Sequence, residues 1–178
     1  MNSITISDQY LNLQTELHKN PNYGMASLSF APLVADLIRI SESKTISDYG
    51  AGKRRLLEGL HNEGITNITY LPYDPVFPEY GPSKKADLVC CIDVLEHIEP
   101  EMLEAVLSEL AEITVKLGFF SVHMGPAEKK LADGRNAHLI QQPSSWWLKR
   151  ICEYFNILQL ESHGHSGKGF WIIVERIK

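Results

Sequence analysis

The stretch from Thr45 to Leu57 constrains this chain most. Thr45-Ile46-Ser47-Asp48-Tyr49 is a short β-branched, apolar run, and Gly50-Ala51-Gly52 then sets two glycines one residue apart. Lys53-Arg54-Arg55-Leu56-Leu57 resumes as helix-forming residues. Strand, glycine turn and helix in that order make the first unit of a nucleotide-binding α/β sheet. Glycine lets the backbone turn sharply and come close to a ligand. The new helix points its free N–H groups at whatever rests on the turn. A Gly-x-Gly also serves as a plain strand-to-helix turn. The ligand-binding reading therefore draws on two more stretches, Tyr70-Leu71-Pro72-Tyr73-Asp74-Pro75 and Asp87 to Ile98.

Together the three stretches resemble the class I S-adenosylmethionine-dependent methyltransferases, over roughly Tyr23 to the C-terminus. Asp48-Tyr49-Gly50-Ala51-Gly52 is similar to that family's Asp-x-Gly-x-Gly loop. Asp74 falls where the family carries the acid that grips the ribose hydroxyls. Ile92-Asp93-Val94-Leu95-Glu96-His97-Ile98 resembles the segment after the family's fourth strand. The resemblance implies a Rossmann-like α/β fold with a mostly parallel sheet and a C-terminal antiparallel hairpin. It also implies S-adenosylmethionine as cofactor, leaving as S-adenosylhomocysteine. Cofactor contacts then fall on Tyr23, Asp48, Tyr49, Gly50, Ala51, Gly52, Tyr73, Asp74, Pro75, Ile92, Asp93, Val94 and His97. Asp48 faces the cofactor's ammonium or caps the turn, and Asp74 holds the ribose or makes an Asp-Pro turn. The leading segment folds over the cofactor in the family, which makes Tyr23 and Ser27 lid residues or packing on the sheet edge. Of Glu96 and His97, at least one caps or orients rather than reacts. Arg54 replaces the family's third loop glycine.

The chain departs from the family in one place. A helix and a third strand belong between the ribose acid and the fourth strand. Pro75-Val76-Phe77-Pro78-Glu79-Tyr80-Gly81-Pro82-Ser83-Lys84-Lys85 allows neither, because its prolines and glycine break both periodicities. The third strand is expected to be missing, with Tyr73, Phe77 or Tyr80 covering the adenine. The expected sheet order is two-one-four-five, in the family's numbering, extended by the hairpin.

The chain reads as one domain spanning 1–178, with a helical lid or edge segment at 1–42 and the Rossmann-like core at 43–178. A first helix, capped by Ser7-Asp8, is expected to run to Leu17, and a second, capped by Ser29, to carry Pro32 in its first turn. Further strands are expected at Asn67–Tyr73, Ala86–Ile92 and Phe119–His123. Helices are expected from Lys53 to Asn62, from Glu99 to Lys116 with Gly118 as the stop, and from Trp146 to Phe155 behind a Ser144-Ser145 cap. Asn156–Ser162 and Gly169–Ile177 read as the hairpin, turning through His163–Lys168.

Methyl transfer asks only for an aligned nucleophile and removal of its proton, so the acceptor side leaves a faint trace. It falls on the polar loop Met124–Gln142 and its neighbours. His138 is the first choice as base or orienting group and His123 the second, although a lone histidine also serves as packing. Arg135, Asn136 and Trp146 are the acceptor-binding choices, with Asp133 beside them; in a Trp146-Trp147 pair one ring usually enters the core.

A net charge of −5 argues against nucleic acid as partner, as does the absence of an Asn/Asp-Pro-Pro-Tyr motif. No stretch approaches a membrane span, and Met1–Thr5 has neither the basic nor the apolar region of a signal peptide. Three cysteines, two of them adjacent in a strand, fit thiols of a reducing compartment, and cytoplasm is expected. The Cys/His spacing offers no zinc pattern, so no metal is expected. A nicotinamide dehydrogenase would want a third glycine at Arg55. The leading reading is a methyltransferase of a small molecule or metabolite; the alternatives are a non-catalytic adenosyl-binding accessory or regulatory protein and, behind it, a methyltransferase of nucleic acid. Turnover of S-adenosylmethionine separates the first two.

Overall fold

In a computed structural model, residues 4–163 and 168–177 are described. The β-branched run does become a strand, β1 (Thr45–Tyr49), and its neighbours β2 (Thr69–Tyr73), β3 (Ala86–Ile92) and β4 (Thr114–His123) lie parallel to it. β6 (Gly169–Arg176) runs antiparallel to β4 and is flanked in turn by β5 (Phe155–His163). The order β2-β1-β3-β4-β6-β5 places the switch in winding direction between β1 and β3. Open α/β sheets bind ligands in the crevice at such a point.

Among the described residues, five α-helices accompany the sheet: α1 (Asp8–His18), α2 (Ala26–Ser41), α3 (Arg55–Asn62), α4 (Leu103–Ile113) and α5 (Ser144–Ile151). β3 alternates its burial between the two faces. Val89 and Cys91 join α4 and α5 through Leu107, Leu110 and Trp147, whereas Leu88 and Cys90 join α2 and α3 through Val34 and Leu60. Both faces are covered, as the near-continuous apolar run Ala86–Ile92 requires of a parallel strand. A Cβ on Gly59 would come within 2.4 Å of Ala31 Cβ, so α3 sits directly on α2.

The proline-broken segment carries no strand; it contains a single 3-10 turn at Pro78–Tyr80. The expected loss of the third strand therefore holds, and the sheet ends on β2.

Several boundaries differ from the sequence expectation. α2 begins at Ala26, three residues before Ser29, whose hydroxyl donates to Ala26 O at 2.7 Å instead of capping. Pro32 consequently lies inside the helix. α3 starts at Arg55 rather than Lys53, because Arg54 takes a left-handed φ of 58°. α4 stops at Ile113, and the β-branched pair Thr114-Val115 opens β4 five residues before Phe119. Gly118 stops nothing. It lies within β4, where a Cβ would meet Phe120 Cζ and Val174 Cγ2 at 2.8 Å. α5 starts at Ser144 without a side-chain cap and ends at Ile151, which leaves Phe155 to begin β5. Of the expected hairpin turn, residues 164–167 lie outside the described part of the chain.

Candidate functional site

The glycine turn is held by its neighbour strand. Gly50 N and Ala51 N both donate to Tyr73 O, at 2.8 and 2.9 Å. Gly50 has a φ of 81°, and a Cβ there would stand 2.4 Å from Val94 Cγ2. No other residue fits, for reasons of both torsion and space. Gly52 N donates to Asp74 Oδ2 and Val76 N to Asp74 Oδ1, each at 2.9 Å. Asp74 thus ties the end of β2 to the turn after β1.

Every residue that the resemblance assigns to the cofactor, from Tyr23 through Asp48–Gly52, Tyr73–Pro75 and Ile92–Val94 to His97, borders one cavity of about 270 Å³. The cavity opens at the carboxyl ends of β1, β2 and β3. Ser27 and His138 border it as well.

Two carboxylates on this wall carry unusual charge. Burial pushes Asp48 up to about 7, against the lowering effect of its hydrogen bond from the Tyr70 hydroxyl; Asp74 nearby adds to the rise. Burial raises Asp74 too, opposed by the Val76 and Gly52 N–H groups and by His18. His18 is lowered by burial, opposed by the Asp74 charge, and its Nδ1 is buried without a partner.

The roof comes from the N-terminal helix. Ser7 Oγ accepts from Tyr10 N, and Ser7 itself is anchored across the fold, its N and Oγ both donating to Glu99 at 2.8 and 2.7 Å. Tyr10 donates to His97 O, and Gln14 Nε2 donates to the Tyr10 hydroxyl. Tyr10, Gln14 and His18 all border the cavity. Their spacing of four residues marks one helix face, which is the signal sequence reading passed over. Tyr70, also unforeseen, lies on β2 beside Asp48.

Asp93 closes β3 in a left-handed conformation, φ 51°, that a non-glycine residue holds only with support. Ser121 supplies it: Asp93 N donates to Ser121 O at 3.2 Å, and Ser121 Oγ donates to Asp93 Oδ1. The next turn, Leu95–His97, leads into a row of imidazoles. The His97 and His138 rings lie 4.7 Å apart, and those of His138 and His123 5.1 Å. His97 Nδ1 lies 2.8 Å from Ala137 O, and His138 Nδ1 lies 2.7 Å from Gly125 O. A carbonyl only accepts, so Nδ1 of each ring carries the proton and each Nε2 keeps a free lone pair. Burial, then His138, lowers His97 to about 3, and burial lowers His138. Both shifts favour the neutral ring.

The remaining sequence choices fall elsewhere. His123 does not border the cavity, although its ring neighbours His138. Arg135 is tied to Asp133 at 2.7 Å on the surface. Asn136 braces its own loop, with Oδ1 accepting from Ala127 N and His138 N and Nδ2 donating to Ala127 O. Trp146 lies against Trp147 and under the Arg150 guanidinium, 3.6 Å from its ring, while Trp147 is the ring that enters the core. Of the three aromatics expected over an adenine, Tyr73 borders the cavity. Phe77 and Tyr80 stack on each other at 5.4 Å, and Tyr80 donates to Gly52 O.

No protein-family model matches the sequence, and no curated protein does. Solved structures do match. A 1,6-didemethyltoxoflavin-N1-methyltransferase from Burkholderia thailandensis, with 1,6-didemethyltoxoflavin and S-adenosylhomocysteine bound, superposes with a TM-score of 0.66 at 11% identity, covering 99% of this chain and 92% of its own. An S-adenosylmethionine-dependent methyltransferase from Clostridium acetobutylicum gives 0.61 at 10% identity, covering 95% and 99%. The magnesium protoporphyrin IX methyltransferase of Synechocystis, with S-adenosylhomocysteine bound, gives 0.56 at 13%, covering 96% and 95%. This chain has the fold of the class I S-adenosylmethionine-dependent methyltransferases.

Proposed function

We propose that the protein is an S-adenosylmethionine-dependent methyltransferase acting on a small molecule. One observation carries the reading: the glycine turn, Asp74 and the Asp93–Val94 corner, far apart in sequence, border the same cavity. The bound S-adenosylhomocysteine and the small-molecule substrates of the structural neighbours support it.

In this reading Asp74 accepts from the ribose hydroxyls. Each of its oxygens receives one backbone N–H, and a carboxylate oxygen has a second lone pair to offer. The loop Gly50–Gly52 lets the cofactor's backbone come close, and Asp48 answers its ammonium. Tyr23 and Ser27, with the α1 face, cover it from above. The bound cofactor supplies an electrophilic methyl group. The protein aligns the acceptor and provides for its proton. His138, neutral and with its lone pair on Nε2, orients the acceptor or takes that proton. With Arg135, Asn136 and Trp146 away from the cavity, the acceptor end is bounded instead by Ala127, Lys129 and His138 of the loop after β4.

Calorimetry with S-adenosylmethionine, S-adenosylhomocysteine and NAD tests the cofactor. Heat with the first two and none with NAD is expected. Conversion of S-adenosylmethionine over a panel of hydroxyl and amine acceptors then tests catalysis. Binding without any conversion would favour an accessory adenosyl-binding role.

A further inference from the structure

The acceptor end of the cavity contains a set of groups that the reading above leaves incomplete. Glu96 is fully buried. Its Oε1 accepts from His123 N at 2.8 Å, but Oε2 is buried with no hydrogen-bond partner. An orphaned carboxylate oxygen is costly, and no lysine or arginine among the described residues pairs with it. Burial, then the Asp93 charge, pushes the Glu96 carboxyl well above its ordinary range. His97 and His138 stand beside it. One ligand atom from each of Glu96, His97 and His138 lies within 4.8 Å of the other two.

The two imidazoles are already prepared. Each directs Nδ1–H to a backbone carbonyl, Ala137 O for His97 and Gly125 O for His138. That outer contact fixes the tautomer and turns the ring, leaving Nε2 as the donor atom; it is the arrangement that metal-binding histidines use. The trio spans 43 positions of sequence, 96 to 138, and meets because Ile140 N donates to Glu96 O, drawing the loop after β4 onto the turn Leu95–His97.

We propose that Glu96, His97 and His138 form a divalent-cation site at the acceptor end of the cavity. Two imidazole nitrogens and one carboxylate suit zinc and its first-row neighbours manganese, iron and cobalt, rather than the all-oxygen cages of calcium. Metal–ligand distances of about 2.1 Å set ligand atoms roughly 3–3.4 Å apart, so the three side chains close in slightly around the ion. Three protein ligands leave a position open, and both histidines border the cavity. With its Nε2 on the cation, His138 orients the acceptor and does not take its proton: an acceptor hydroxyl in the open position is acidified by the cation and loses its proton to solvent. Its oxygen lone pair then forms the bond to the methyl carbon as the sulfur–carbon bond breaks, the electron pair staying on sulfur. The acceptor class is therefore a small molecule with an ionisable hydroxyl. This use of the site rests on the methyltransferase reading; the binding of the ion does not.

Cobalt(II) chloride titrated into tag-free, EDTA-dialysed protein without cofactor tests the site, read by visible d–d absorption and by metal content after desalting. One cobalt per chain is expected, with affinity at least tenfold weaker in Glu96→Gln and in His138→Gln, and unchanged in His61→Gln on the surface of α3. Glu96→Gln keeps an oxygen for His123 N–H, and near-ultraviolet circular dichroism verifies that each variant is folded. No uptake by the wild type, or equal affinity in folded Glu96→Gln and His138→Gln, overturns the proposal. Calorimetry with S-adenosylmethionine on the same metal-free protein separates the two readings. Cobalt uptake without cofactor binding supports the metal site and refutes the methyltransferase; cofactor binding without cobalt uptake does the reverse.

Discussion

Asp74 is claimed on both oxygens by backbone N–H groups before any ligand arrives. Asp74→Ala therefore loosens the glycine turn and removes the proposed ribose acceptor together. Each charge-assisted bond at a buried site is worth about 1.5–3 kcal/mol, so cofactor affinity should fall at least tenfold by calorimetry. Undiminished affinity would remove Asp74 from the site. Gly50→Ala puts a Cβ 2.4 Å from Val94 Cγ2 at a φ of 81° and should cost at least ~1 kcal/mol of stability in urea unfolding. Asp48 adds a pH signature. Buried to a value of about 7, it is partly protonated near neutrality, and an ammonium placed beside it drives that proton off. Cofactor binding at pH 6.5 should thus release protons, seen as a binding enthalpy that varies with the buffer's ionisation heat. Asp48→Asn should abolish that variation. The sign for stability follows from the same rise. The folded state holds the Asp48 proton between the ordinary carboxylate range and about 7 while the unfolded state does not, so this group's contribution is lost as pH rises through that window. Relative to wild type, Asp48→Asn should gain stability from pH 4 to pH 8.

At the scale of elements, α1 is the part whose role sequence reading passed over. Ser7 caps it and also binds Glu99 beyond β3, so one residue sets both where the helix starts and where it docks. Ser7→Ala should cost about 1 kcal/mol from the lost cap. It should also weaken cofactor binding, because Tyr10, Gln14 and His18 on the cavity-facing side lose their anchor. Unchanged affinity in a destabilised Ser7→Ala would show that the helix does not cover the ligand. The β4 boundary shows a different kind of concealment. A glycine after a helical run reads as a stop, yet Gly118 is required by Phe120 and Val174 packing across the sheet face.

For the whole molecule, the first strand to the exact residue, the parallel order, the missing third strand and the terminal hairpin were all legible in sequence. The strand, the hairpin and the missing strand are dictated locally, by β-branched runs, glycine turns and prolines that forbid an alternative, whereas the strand order came from the resemblance to the methyltransferase family. That the residues proposed for the cofactor gather in one place was legible too, since they sit at the ends of those strands and the winding of the sheet brings strand ends together. The acceptor side was not. Arg135, Asn136 and Trp146 have the right chemistry, but a salt bridge, a loop brace and a stacking partner use it up. Which face of α1 meets the cavity, and that Glu96 is buried with one oxygen unmatched in a group with two histidines of fixed tautomer, are decided only by how distant segments pack. A strand or a turn is fixed by neighbours along the chain, whereas the environment of a side chain is set by residues that sequence order does not relate to it.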